Sequence, residues 1–105
     1  VVAEVPAGDM NELLAMATQV RDLVGEGAAV VLGARSDDKA MVVANLDPAA
    51  VDAGRSAADA VSDAAGIMGG GGGGRPDMAR AGGKSPDELP EALDAAASRL
   101  RTPDA

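Results

Sequence analysis

Apolar positions recur along this chain with more than one spacing, and each spacing predicts a different element. Val1-Val2-Ala3-Glu4-Val5 opens residues 1–6 as a short strand that ends at Pro6-Ala7-Gly8. The spacing then changes: Met10, Leu13, Leu14, Ala17, Val20 and Val24 recur at helical intervals. Asp9 stands before them as an N-cap, with Glu12 three residues on in a capping-box-like pattern, and Gly25 and Gly27 stop the helix. Ala28 to Gly33 and Ala40 to Leu46 are apolar runs on either side of the turn Ser36-Asp37-Asp38-Lys39, which predicts a β-hairpin over 28–46.

After the break at Asp47-Pro48 the pattern predicts a helix from about Ala50 to Gly66. Its inner face is Val51, Ala57 or Ala58, Val61, Ala64 or Ala65, and Met68. Six consecutive glycines, Gly69 to Gly74, come next. Residues 75–81 then read as a short last strand with Pro76 at its edge or start, broken by Gly82-Gly83. Ser85-Pro86-Asp87-Glu88 combines a cap, a proline at the first helical position and an acid three residues on. Pro90 moves the helix start to Leu89 or Pro90; Leu89, Leu93, Ala96 and Leu100 then share one face, and Thr102 to Ala105 form a frayed tail. The order β-α-β-β-α-β-α predicts an α+β (or α/β) fold: a mixed β-sheet with helices packed mainly on one face.

Composition sharpens this picture. The length of 105 residues sets one domain as the ceiling. Hydrophobic residues make up 47% of the chain, yet 24 of them are alanine and none is aromatic. At roughly 25 cal/mol per Å² of buried apolar surface, such small side chains predict modest stability. Charge interrupts the apolar runs too often for a helical membrane span of about 20 residues. Cysteine and histidine are both absent. That excludes a disulfide framework, a Cys/His zinc site and any Ser-His-Asp or Cys-His nucleophile within the chain. The chain opens without Met and without a charged segment leading into an apolar one, and it reads as an excised C-terminal piece of a longer cytosolic protein.

The formal net charge is −8, which by itself argues against a polyanionic partner. Its distribution qualifies that: Arg75, Arg80 and Lys84 lie in a ten-residue window that contains one acid, Asp77. The window follows the six glycines directly. A glycine run serves as a linker, as a tight connection at positive φ, or as a bare backbone surface that a ligand can approach and hydrogen-bond. It is not a nucleotide-binding P-loop: Gly74 is followed by Arg75-Pro76, and the Gly83-Lys84-Ser85 ending has Met78 where the first glycine is needed.

The stretch Gly71-Gly72-Gly73-Gly74-Arg75-Pro76-Asp77-Met78-Ala79-Arg80-Ala81-Gly82-Gly83-Lys84, followed by an acidic alanine-rich helix, closely resembles the C-terminal end of alanyl-tRNA synthetases. The matching unit is their globular DHH-associated C-terminal domain, taken to cover 1–105, with 69–84 as its glycine-rich loop and basic segment. The resemblance implies a non-catalytic tRNA-binding module of an ATP-dependent alanine–tRNA ligase. Such a module contacts the elbow of alanine tRNA and supports aminoacylation and editing by upstream domains in cis. It implies no cofactor in this fragment, with ATP, Mg and Zn belonging to those upstream domains, a cytoplasmic location, no membrane partner, and homodimers of the full-length protein in several members. The positions carried over as RNA-facing are Gly69, Gly70, Gly71, Gly72, Gly73, Gly74, Arg75, Arg80, Gly82, Gly83 and Lys84. Two alternatives stand beside this reading: an interaction or dimerisation module that does not touch RNA, and the substrate-binding domain of a DHH-family phosphoesterase. In those phosphoesterases a histidine follows the glycines, where this chain has Arg75.

Other groups read as structural. Asp37-Asp38 is expected to be a solvated turn and Asp77 to pair locally with Arg75 and Arg80. Glu88, Glu91 and Asp94 are expected on a solvated helix face, and the five Met residues in the core.

Overall fold

The computed structural model describes residues 2–6, 8–35 and 38–101. Its elements run β1 (Val2–Glu4), α1 (Met10–Val24), β2 (Ala29–Arg35), β3 (Ala40–Leu46), α2 (Pro48–Asp52), α3 (Ala57–Met68), β4 (Gly71–Gly74), β5 (Met78–Gly83) and α4 (Leu89–Arg101), with a 3₁₀ turn over Pro86–Glu88 before α4. The strands form one mixed sheet in the order β1-β2-β3-β5-β4, in which only β1 and β2 pair in parallel. The α+β fold expected from the sequence is the fold observed.

Alternation along β2 and β3 sorts the apolar side chains onto two faces. Val31, Val42, Ala44 and Leu46 look toward α2, α3 and α4, where Ala50, Val61, Met68, Leu89, Ala92 and Leu93 complete the larger core. Val30, Leu32, Ala34 and Val43 look the other way, onto Leu13 and Ala17 of α1. Three of the four helices therefore share one face, as expected, and α1 alone covers the other. Alanine makes that packing close: Ala57, Ala60 and Ala64 of α3 and Ala92 and Ala96 of α4 are fully buried. Gly33 completes it from β2, since a Cβ there would lie 2.9 Å from Leu89 Cδ1 and 3.0 Å from Leu93 Cδ2.

The predicted cap at Asp9 forms, whereas Ser85, expected to cap the last helix, makes no side-chain capping hydrogen bond. Asp9 accepts the Glu12 amide at 2.8 Å, while the Glu12 carboxylate reaches back to the Gly8 amide at 3.1 Å. Pro90 does delay the last α-helix, which starts at Leu89. Three elements differ from expectation, the glycine run described below with the site being one of them. The single helix over 50–66 is two helices, because Gly54 turns the chain at φ 97° and Ser56 caps α3 anew. Helical spacing of alanines runs through that break without registering it. The final strand also lies later than expected, at Met78–Gly83, with Gly82 and Gly83 inside it and Pro76 in the preceding turn. Val24, the last of the residues at helical spacing in α1, is 51% exposed at the helix end. Ser36, Asp37 and the tail 102–105 lie outside the described residues.

One buried polar group holds α1 to the sheet. Asn45 of β3 donates to Thr18 Oγ1 at 3.2 Å and accepts from Arg21 Nη1 at 3.0 Å. Asp47 caps α2 and also closes the turn after α1, accepting the Ala49 amide at 3.1 Å and the Gly27 amide at 3.0 Å. The Gly27 and Ala49 amides hold its carboxyl below the ordinary value of 3.8. Arg35 does the same for Glu4, and Arg99 for Asp63, each through its hydrogen bond. In all three the folded state favours the charged form. Their stabilisation is therefore complete above the unfolded values and is lost as pH falls through the lower folded ones. Glu88 runs the other way, raised by its hydrogen bond with Glu91. With three groups against one, the thermal midpoint should be level from pH 7 to about 5 and fall below about pH 4. A set of melts across that range checks it, and Asp47→Asn should shrink the fall.

Candidate nucleic-acid interface

The glycine run is a strand rather than a loop. Gly69 ends α3 in the left-handed conformation, φ 72°, and its amide and that of Gly70 both bond the Ala65 carbonyl. Gly71–Gly74 then run antiparallel to β5 as the edge of the sheet, with all four residues exposed. The physical reason is that the backbone ladder needs no side chain, and β5 and α3 supply the surface that β4 lies on. The turn back is closed by the Arg75 amide on the Met78 carbonyl at 2.9 Å. It is anchored by the Pro76 carbonyl, which accepts from Ala57 at 2.8 Å, and the Asp77 carbonyl, which accepts from Leu46 at 2.7 Å.

The pairing register decides which way each position looks. Gly71 pairs with Gly82 and Gly73 with Arg80; Gly72 pairs with Ala81 and Gly74 with Ala79. Ala79 and Ala81 belong to the large core beneath α3. Arg80 and Gly82 therefore lie on the opposite, α1-facing side of the sheet, together with Gly71 and Gly73. Among the described residues α1 packs on that side mainly over β2 and β3, and leaves the surface over β5 and β4 open.

The open surface is a row of shallow hollows. One of about 410 Å³ is lined by Met10, Gly71, Gly72, Gly73, Arg80, Ala81 and Gly82. A second of about 370 Å³ adjoins it through Gly73 and Arg80 and is bordered by Leu14, Arg75 and Met78. A third of about 300 Å³ lies where β3 begins, among Gly69, Gly70, Gly82, Gly83, Lys84 and Lys39. The structure thus brings all eleven residues singled out in the sequence to one edge of the molecule. It adds Met10, Leu14 and Lys39, which the sequence did not mark. Met10 and Leu14 carry helical spacing and read as core, though both are only half-buried. Lys39 carried no signal beyond its charge.

Electrostatically the edge is basic within an acidic chain. Arg75 pairs with Asp77 at 3.3 Å, both well exposed. Arg80, expected to share that pair, makes no ion pair among the described residues, and neither do Lys39 and Lys84. Among the described residues no group of three or more His, Cys, Asp or Glu is placed to hold a metal ion. No helix there is long and apolar enough to cross a membrane.

The fold has known counterparts. The chain belongs to the DHHA1 domain family, which it matches over residues 1–102. It is 47% identical over 91 residues to the alanine–tRNA ligase of Lactobacillus delbrueckii subsp. bulgaricus and 46% identical over 91 residues to that of Bacillus subtilis. Each alignment covers 87% of this chain and 10% of the relative, so the chain spans about a tenth of the length of these ligases. The crystal structure of the C-Ala domain from Aquifex aeolicus alanyl-tRNA synthetase superposes with a TM-score of 0.80 at 29% identity, covering 92% of this chain and 86% of that one. The resemblance to the C-terminal domain of alanyl-tRNA synthetases, read first from 69–84, thus extends across the fold.

Proposed function

We propose that this chain is a non-catalytic tRNA-binding module of an alanine–tRNA ligase. In this reading the β4–β5 edge contacts the elbow of alanine tRNA, and aminoacylation and editing take place in upstream domains of the same cytoplasmic protein. One observation carries it. On a chain of net charge −8, a strand without side chains and the cations Arg75, Arg80, Lys84 and Lys39 converge on one edge. Bare backbone allows close approach, and the cations supply phosphate affinity. The likeness to alanine–tRNA ligases over most of the chain supports the identity of the RNA.

Three or four phosphate contacts make a weak binder. Counterion release at three contacts gives a log–log salt slope of about −2 to −3. Such an interface serves when attached to an enzyme that already holds the acceptor end, because tethering supplies effective concentration without new contacts. The direct test titrates the 105-residue chain against labelled alanine tRNA, with a plain RNA duplex as control, at two salt concentrations. Preferential, salt-weakened binding to the tRNA is expected. Equal affinity for the duplex would remove the elbow from the proposal, and no binding at high micromolar protein would leave an interaction or dimerisation role.

A further inference from the structure

The apolar side chains left on the surface collect at one place, far from the glycine edge. Among the described residues the large hydrophobics that stay exposed are Val2, Leu23 and Val24, at 44%, 86% and 51%. Single apolar residues scattered over a surface are ordinary, whereas a cluster marks a contact. Leu23 and Val24 end α1 side by side. Val24 and Val2 border the same hollow, of about 470 Å³, whose lining Ala28, Val31 and Leu100 continue. Arg55 is the charged group in that lining. It is half-buried, its Nε donates to the Leu100 carbonyl at 2.6 Å, and among the described residues it makes no ion pair.

The course of the chain indicates what covers this surface. Val2 pairs with Val31 in parallel, and β2 begins at Ala29. The line of β1 traced backward from Val2 therefore passes Ala29 and runs toward Ala28 and Gly27, all of which line the hollow. The matching stretch is 10% of each ligase relative, so most of such a protein lies outside these residues. We propose that the hollow and the Leu23–Val24 end of α1 are the docking surface for the segment of the parent ligase that enters at Val2. That segment lays apolar side chains against Val2, Leu23 and Val24 and offers an acceptor oxygen to Arg55. This rests on the reading above, which places the rest of the ligase upstream, and adds the contact that orients the module on it.

The geometry suits a neighbour in the same chain. A tethered segment stays docked on a small surface, because its effective concentration is high. A second copy would need more: β1 is three residues long, too short a ladder to hold another strand firmly. β1 and β4 are opposite edges of the sheet, so a segment seated here leaves the β4–β5 edge free.

The test compares two lengths of chain by thermal melting without RNA. One is the 105-residue chain. The other adds about 30 residues of its own preceding sequence, a reach of about 45 Å even when helical. Each is made unaltered and as the double variant Leu23→Gln with Val24→Gln, which keeps a good helix former at Leu23 and removes the apolar patch. In the shorter chain both side chains are exposed, so the variant should melt within about 3 °C of the unaltered form. The unaltered longer chain should melt at least about 5 °C above the shorter one, and the double variant should lose most of that rise. No rise, or an equal rise in both forms, would overturn the docking and leave the tRNA reading standing. A rise that grows with protein concentration would give the surface to a second copy, and an equal loss in both lengths would show that the patch is covered within the 105 residues; either overturns the proposal. A gene with no ligase sequence before Val1 would overturn both readings.

Discussion

Gly83→Val is expected to cost about 3 kcal/mol or more, a large fraction of the stability of a chain this small. The cause is the junction of α3 with β5. A Cβ on Gly83 would lie 2.5 Å from the Met68 carbonyl oxygen and 2.9 Å from its carbonyl carbon, which are backbone atoms that cannot rotate away. That same carbonyl accepts the Lys84 amide at 3.1 Å and the Ser85 amide at 3.2 Å, so the chain turns out of β5 by bonding to the last residue of α3. Met68 itself is fully buried in the larger core. Separating α3 from β5 to admit a side chain would break both bonds and open that core together. The neighbouring position supplies the control. A Cβ on Gly82 has only the Ala40 carbonyl oxygen near it, at 3.7 Å, an ordinary contact. Gly82→Ala should therefore change stability by less than about 1 kcal/mol. Urea denaturation of the two variants beside the unaltered chain measures the difference. Equal midpoints would mean that α3 does not dock on β5 as described.

The contrast between Gly82 and Gly83 shows what a sequence withholds. Where side chains carry the pattern, the elements were legible: the Asp9 cap, the two apolar strands of the hairpin, and the face Leu89, Leu93, Ala96 and Leu100 all appear where their spacing places them. Where glycine replaces side chains, periodicity has nothing to report. Gly71–Gly74 read as a loop because glycine disfavours strands, and tertiary pairing with β5 overrides that preference. Positive φ in the run falls at Gly69 and Gly74, so valine at Gly71 or Gly72 meets no φ conflict; Gly72 is fixed by Ala81 instead. The break between α2 and α3 was hidden for a related reason, since alanine suits a helix on either side of Gly54. The candidate site was legible as a segment, because glycines and cations are contiguous in 69–84. Its partners were not: Met10 and Leu14 come from α1, and only the register of β5 against β3 and β4 brings them beside Arg80.

Replacing Arg75, Arg80 and Lys84 together by alanine should leave the fold intact and abolish most tRNA binding. All three are exposed, and the one ion pair removed, Arg75 with Asp77, is a surface pair worth no more than about 1 kcal/mol. The melting curve should therefore stay close to that of the unaltered chain. Affinity for alanine tRNA should fall at least about tenfold at low salt, and the salt slope should flatten toward zero, because the slope counts the phosphates these groups neutralise. Added negative charge alone predicts a loss as well, so a second variant is needed. Arg35→Ala with Arg99→Ala also removes positive charge, from Arg35 at the end of β2 and from Arg99 on α4, where they pair with Glu4 and Asp63. At physiological salt the Debye length is about 8 Å, so charges removed away from the β4–β5 edge should barely alter its contacts. If the edge binds RNA, the first variant loses binding and the second keeps it with the original slope. Equal losses would make the effect one of overall charge, and retained binding by a folded triple variant would remove these residues from the interface.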